Sequence, residues 1–203
     1  MGLLECFGVR SKPEIYYYNT RFGFHPQVLA GKLEELIKKE LEKGKKGVVF
    51  LCIGTDRSTG DSLGPLIGHK LQEREKRRGS RRRAAIFGTL ERPVHAMNLE
   101  QYQEFVARNF PDRVLIAVDA SIGSSEHVGY VTVGKGALKP GLGVSKDLCE
   151  VGDIFITGIV GGSGNFDPVM LQSVRLSVVM RMADCICESI SLVENLWDFS
   201  SAV

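Results

Sequence analysis

The chain has 203 residues, 43% of them hydrophobic and 25% charged, with a formal net charge of +2. That balance suits one compact domain with a core of its own and excludes a disordered tail or a small disulfide scaffold. No apolar stretch approaches the roughly 18 residues of a spanning helix, and Met1 to Cys6 have no basic residue ahead of their short apolar run. The expected location is therefore cytoplasmic.

In chain order, residues 1–25 show no sustained periodicity, and Tyr16, Tyr17 and Tyr18 suggest an extended N-terminal segment laid over a single α/β domain of residues 26–203. From Pro26, the apolar positions Val28, Leu29, Leu33, Leu36, Ile37 and Leu41 recur at three and four, predicting an amphipathic helix that ends near Gly44. Val48 to Ile53 is a continuous apolar run, as a strand buried on both faces requires. Pro65 has no N–H to donate within a helix interior, so the next helix, from about Ser62 to Arg77, is expected to have its cap between Ser62 and Gly64.

The block Arg74, Lys76, Arg77, Arg78, Arg81, Arg82 and Arg83 faces only one acid, Glu75, and leaves the remainder of the chain acidic on balance. It is expected to be a solvated loop around Gly79-Ser80, with contact to an acidic partner as the alternative. No aromatic residue is interleaved with it, so nucleic acid is not the expected partner.

A short strand is expected at Ala84 to Gly88, and a helix opening at Asn98, whose Gln101 three residues on forms a capping-box pattern. Val114 to Val118 predicts a third strand, Val128 to Val133 a more exposed one, and Asp153 to Ile159 another buried one. A long helix from about Pro168 to Leu196 closes the chain. Alternating strands and helices predict an α/β fold of three layers, with a mostly parallel sheet and helices on both faces. The five cysteines lack C-x-x-C spacing and are expected to be reduced, mostly buried thiols.

In open α/β sheets ligands bind beyond the carboxyl ends of the strands. Three predicted strand exits carry polar groups: Thr55 to Asp61, Thr89 to His95, and Asp119 to Ser121. Asp119 directly follows five apolar residues, and Asp61 precedes a helix that it also suits as an N-cap. Two carboxylates at neighbouring exits can share a proton or hold a water or metal. Glu91 and His95 are further candidates, and Asp61, Glu91, His95 and Asp119 are expected to line one cleft. A phosphate loop is excluded at Gly60, where Asp61-Ser62 replaces the Lys-Ser/Thr pair. Neither G-x-G-x-x-G nor G-x-S-x-G occurs around the later glycines.

Three stretches, IGTDRSTGDSLGPLIG (Ile53 to Gly68), PDRVLIAVDAS (Pro111 to Ser121) and KPGLGVSKDL (Lys139 to Leu148), resemble the germination proteases of spore-forming bacteria. Over nearly the whole chain the resemblance is to the YyaC family of sporulation proteins. It implies a phosphorylase/hydrolase-like α/β fold, shared with hydrogenase-maturation proteases. It also implies an aspartic-type peptidase chemistry at Asp61 and Asp119, with small DNA-coating proteins of the spore as substrates. In the hydrogenase-maturation relatives an acid, an aspartate and a later histidine bind nickel; the first two match Asp61 and Asp119, and no histidine occurs in Lys139 to Ser145.

The resulting expectation is a spore-associated peptidase in which Asp61 and Asp119 activate a water. Thr89, Glu91 and His95 would shape the substrate site, and the N–H groups near Gly161 and Gly162 would serve as oxyanion donors. No cofactor is expected, although nickel or another divalent metal stays open. The expected partner is a protein or peptide substrate, with no membrane, and self-association is left open. The alternative is a non-catalytic sporulation factor that binds a protein or polyanion on the same fold.

Overall fold

The computed structural model describes residues 14–77, 84–141, 149–162 and 168–194. Along the chain lie β1 (Ile15–Asn19), α1 (Pro26–Leu41), β2 (Val48–Cys52), α2 (Leu63–Arg77), β3 (Ala84–Phe87), α3 (Leu99–Asn109), β4 (Val114–Gly123), β5 (Tyr130–Lys135), β6 (Ile154–Gly162), α4 (Pro168–Ser173) and α5 (Leu176–Val193). Six strands form one sheet in the order β1-β5-β6-β4-β2-β3. β6, β4, β2 and β3 are mutually parallel, and β5 runs antiparallel to both β6 and β1.

The sheet is covered on both faces. In β4, Val114, Ile116, Val118 and Ala120 point into the larger core, formed with α1, α2 and α5. Leu115 and Ala117 point the other way, into a smaller core with Leu51, Ile53, Val94 and Leu99 of α3. This is the period-two alternation of a central strand, and it makes the fold the three-layer α/β structure expected.

Several expectations are corrected. The segment read as laid over the domain instead supplies the edge strand β1, with Tyr17 opposite Thr132. β5, read as more exposed, is buried from Val131 to Gly134 because β1 and β6 flank it. The closing helix is broken into α4 and α5 between Ser173 and Leu176. Arg74, Lys76 and Arg77 are not in a loop but in the last turns of α2. Arg74 donates through Nη1 to the Cys187 carbonyl at 2.8 Å, and Lys70 pairs with Asp184 at 2.9 Å, so this end of α2 is pinned to α5. The rest of the basic block, residues 78–83, lies outside the described residues, as do residues 142–148 of the third motif. Cys52, Cys185 and Cys187 are buried free thiols, while Cys149 is exposed.

Candidate functional site

β2 ends at Cys52, and the ladder continues for one more residue, Ile53, which bridges Val94 and donates to the Val118 carbonyl at 2.7 Å. Gly54 and His95 therefore leave the sheet at nearly the level of Asp119 in β4. Gly54 has φ +136°, and a Cβ there would lie 2.1 Å from the Asp61 carbonyl oxygen. The short 3-10 turn Gly60–Ser62 that carries Asp61 thus folds back directly over the end of β2. Only a glycine permits that approach.

Two more glycines of the same motif hold α2 there. A Cβ on Gly64 would lie 2.0 Å from the Ile53 carbonyl oxygen, and one on Gly68 would lie 1.9 Å from that of Gly88. The helix backbone therefore packs against strand backbone, and Pro65 falls in its first turn, as its missing N–H requires. These contacts fix the height of Asp61 above the sheet edge.

Asp119 is not beyond its strand but inside it. β4 runs on to Gly123 because β6 pairs with it to the end, Asp119 opposite Thr157. The residue is buried, with 4% of its surface exposed. Its Oδ1 accepts the Ala120 N–H at 2.8 Å. Burial pushes its carboxyl well above the usual range, the negative charge of Asp61 pushes it further, and the Ala120 N–H pulls it partly back. Asp61 is less deeply placed. Burial raises its carboxyl too, against the opposing effects of the Thr55 N–H and the His95 charge. The two aspartates form an electrostatically coupled pair, with His95 on the Asp61 side.

His95 is held by Asn98. The capping-box expectation is corrected: Asn98 makes no side-chain cap to α3. Its Oδ1 accepts the His95 N–H at 2.8 Å and its Nδ2 donates to the Pro93 carbonyl at 3.1 Å, bracing the turn. The imidazole Nδ1 in turn accepts the Met97 N–H at 3.3 Å, which places the proton of the neutral ring on Nε2.

Thr89 and Glu91 follow β3, and Gly161 and Gly162 end β6. Thr89 closes its own turn, its Oγ1 accepting the Arg92 N–H at 3.2 Å. Glu91 and Thr89 line a separate groove of about 720 Å³ beside β3, with Lys76, Arg92 and Tyr102, and none of Asp61, His95 or Asp119 belongs to it. Gly161 and Gly162 are opposite Ile122 and Gly123, beyond a register shift in β4. At about 3.3 Å per residue, Gly161 lies roughly 13 Å along β6 from the partner of Asp119, too far for an oxyanion donor there. A Cβ on Gly162 would meet Ser125 Oγ at 2.3 Å, so close packing accounts for that glycine.

Sequence reading missed a set of hydroxyls on the same face as Asp119. Thr132 and Thr157, both buried, are 2.7 Å apart, and Thr157 donates to Ser121 at 2.9 Å. A Thr at the centre of a strand carries no distinguishing sequence signal. Ser58, in the loop leading to Asp61, has a buried hydroxyl with no hydrogen-bond partner among the described residues. For metal binding, no group of three His, Cys, Asp or Glu side chains able to hold an ion occurs among the described residues. The two aspartates with His95 thus do not amount to the nickel set that the resemblance implies.

The six-stranded, mostly parallel sheet with helices on both faces makes this an α/β protein of three layers. The sequence matches the family described as "Protein of unknown function (DUF1256)" over residues 25–189, and the chain belongs to that family. It is 43% identical over 173 residues to "Uncharacterized protein YyaC" of Bacillus subtilis (strain 168), covering 84% of this chain and 82% of the relative. Among solved structures it is similar to the NiFe hydrogenase maturation protease HycI from Thermococcus kodakarensis KOD1, at 19% identity and a TM-score of 0.40, covering 76% of this chain and 98% of that one. No helix among the described residues is long and apolar enough to cross a membrane.

Proposed function

We propose that Asp61 and Asp119 form a two-carboxylate centre that hydrolyses a peptide bond, in a protein acting in the cytoplasm of the sporulating cell. The observation that carries this reading is that Asp119 is buried at the parallel edge and the Asp61 charge raises its carboxyl further. Like charges that interact resist ionising together, so the pair holds a proton at a pH where isolated aspartates do not. Asp119, raised by burial and by its neighbour, keeps the proton. Asp61, favoured as the ionised partner by Thr55 and His95, accepts one from water.

In the reaction the water oxygen bonds to the carbonyl carbon as its proton passes to Asp61 and the π pair of the C=O moves onto its oxygen, to return when the amine leaves. The C–N bond then breaks as Asp119 gives its proton to the leaving amine. The proton on Asp61 passes to Asp119 through solvent, which restores the starting state. Small spore-core proteins are the candidate substrates, on the strength of the motif resemblance.

The test is incubation of the purified chain with such proteins and with a mixed peptide library, followed by mass spectrometry of new termini. Cleavage is expected with the wild type and is expected to fall about 10²- to 10⁴-fold in Asp61→Asn and in Asp119→Asn, the range for loss of acid–base help. Equal fragment yields from all three proteins, or none from any, would point to the non-catalytic binding factor.

A further inference from the structure

On the face of the sheet that carries Asp119, Leu99 of α3 and Val94 cover the β2–β4 side, together with Val151 and Leu138 of the β5–β6 connection. Over β1, β5 and β6, a groove of about 320 Å³ lies on the same face among the described residues. Its floor is the hydroxyl chain Thr132–Thr157–Ser121, and its walls include Tyr17, Leu138 and Phe155. We infer that this groove receives an uncharged apolar side chain of an extended peptide, next to the bond presented to Asp61 and Asp119. The assignment rests on the two-aspartate reading of the neighbouring site.

Position, chemistry and size support it. Thr157 is the cross-strand partner of Asp119, and Ser121 lies two residues further along β4 on the same face, so the groove floor begins next to Asp119 in the sheet. β4 shifts register immediately after Ser121, where the groove opens. No Asp, Glu, Lys or Arg is among the described residues lining it. His127, its one imidazole, packs against Tyr17 and Tyr130, with ring centroids 5.3 and 4.9 Å away.

Thr157 donates to Ser121, so its own oxygen accepts from Thr132, and the buried hydroxyls satisfy one another. A charged side chain would lose its water and find no counter-ion, whereas an apolar one would cover Tyr17, 51% exposed, and Ile15, 40% exposed. At about 30 Å³ per water the volume equals roughly ten waters, room for a side chain and its flanking backbone rather than for a folded domain.

The experiment uses the full chain carrying Asp119→Asn, to suppress turnover, titrated calorimetrically with the blocked pentapeptides acetyl-Ala-Ala-X-Ala-Ala-amide, X being Leu, Phe, Asp or Lys. The Leu and Phe peptides are expected to bind at least about tenfold tighter than the other two. Adding Leu138→Arg is expected to reverse the order in favour of Asp. Tyr17→Arg, on the exposed edge strand, makes the same test should Leu138→Arg not fold. Equal affinities, no binding by any peptide, or an order unmoved by a folded arginine variant would overturn the inference. Selective binding without cleavage by the wild type would sink the peptidase reading and leave the groove standing. Cleavage with no preference at X would sink the groove and leave the aspartate pair.

Discussion

Asp119 is a carboxyl placed where its ionised form is penalised, and that has a consequence for stability. Its native value is raised above the unfolded value of about 3.9 by burial and by Asp61. A group shifted in that direction favours the fold fully below the unfolded value, and the contribution is lost as pH rises through the native one. Asp119→Asn is therefore expected to match the wild-type melting temperature near pH 3 to 4 and to exceed it increasingly toward neutrality, by about 2–4 °C for each kcal/mol recovered. Thermal melts of both proteins across that range check it, and a gain that is constant with pH would count against the shift. His95 acts on the other member. Its charge holds Asp61 down, so His95→Ala is expected to move the acidic limb of the rate profile to higher pH, and Asn98→Ala, which frees the same turn, to move it the same way. An unmoved limb in His95→Ala would show that the imidazole is not coupled to the reacting pair.

At the scale of elements, the position of Asp61 depends on α2 resting directly on strand backbone. Gly68→Ala places a methyl 1.9 Å from the Gly88 carbonyl oxygen, a clash with backbone that cannot rotate away. It is expected to cost about 1–3 kcal/mol and to lower activity as the turn lifts. Gly31→Ala, on the exposed face of α1 with nothing within 4 Å, is expected to stabilise by about 0.5–1 kcal/mol, which separates a packing effect from a general response to alanine. Denaturant midpoints of the two variants measure both. These elements differ in how well the sequence announces them. Val48 to Cys52 and Val114 to Val118 are legible because unbroken apolar runs are costly anywhere but in a buried strand. The extension of β4 through Asp119, Ala120 and Ser121 is not, because those residues favour no strand and pairing with β6 holds them in one.

For the whole molecule, the order of the parallel strands explains why part of the site was legible. β4 and β2 are neighbours, so the ends of two apolar runs meet at one edge, and that rule singles out Asp61 and Asp119 as candidates. The rule gives no direction for a loop side chain, and Glu91 turns to the β3 groove instead. Nor does it reveal the hydroxyl row of Thr132, Thr157 and Ser121, which exists only because β5, β6 and β4 align in register. The central claim is that Asp61 and Asp119 titrate as one site. It is tested most directly by following the Asp119 carboxyl carbon by NMR against pH, in the wild type and in Asp61→Asn. The expected midpoint in the wild type lies well above 3.9, and in Asp61→Asn it moves down while staying raised by burial. An ordinary midpoint in the wild type, or the same midpoint in both proteins, would contradict the pairing.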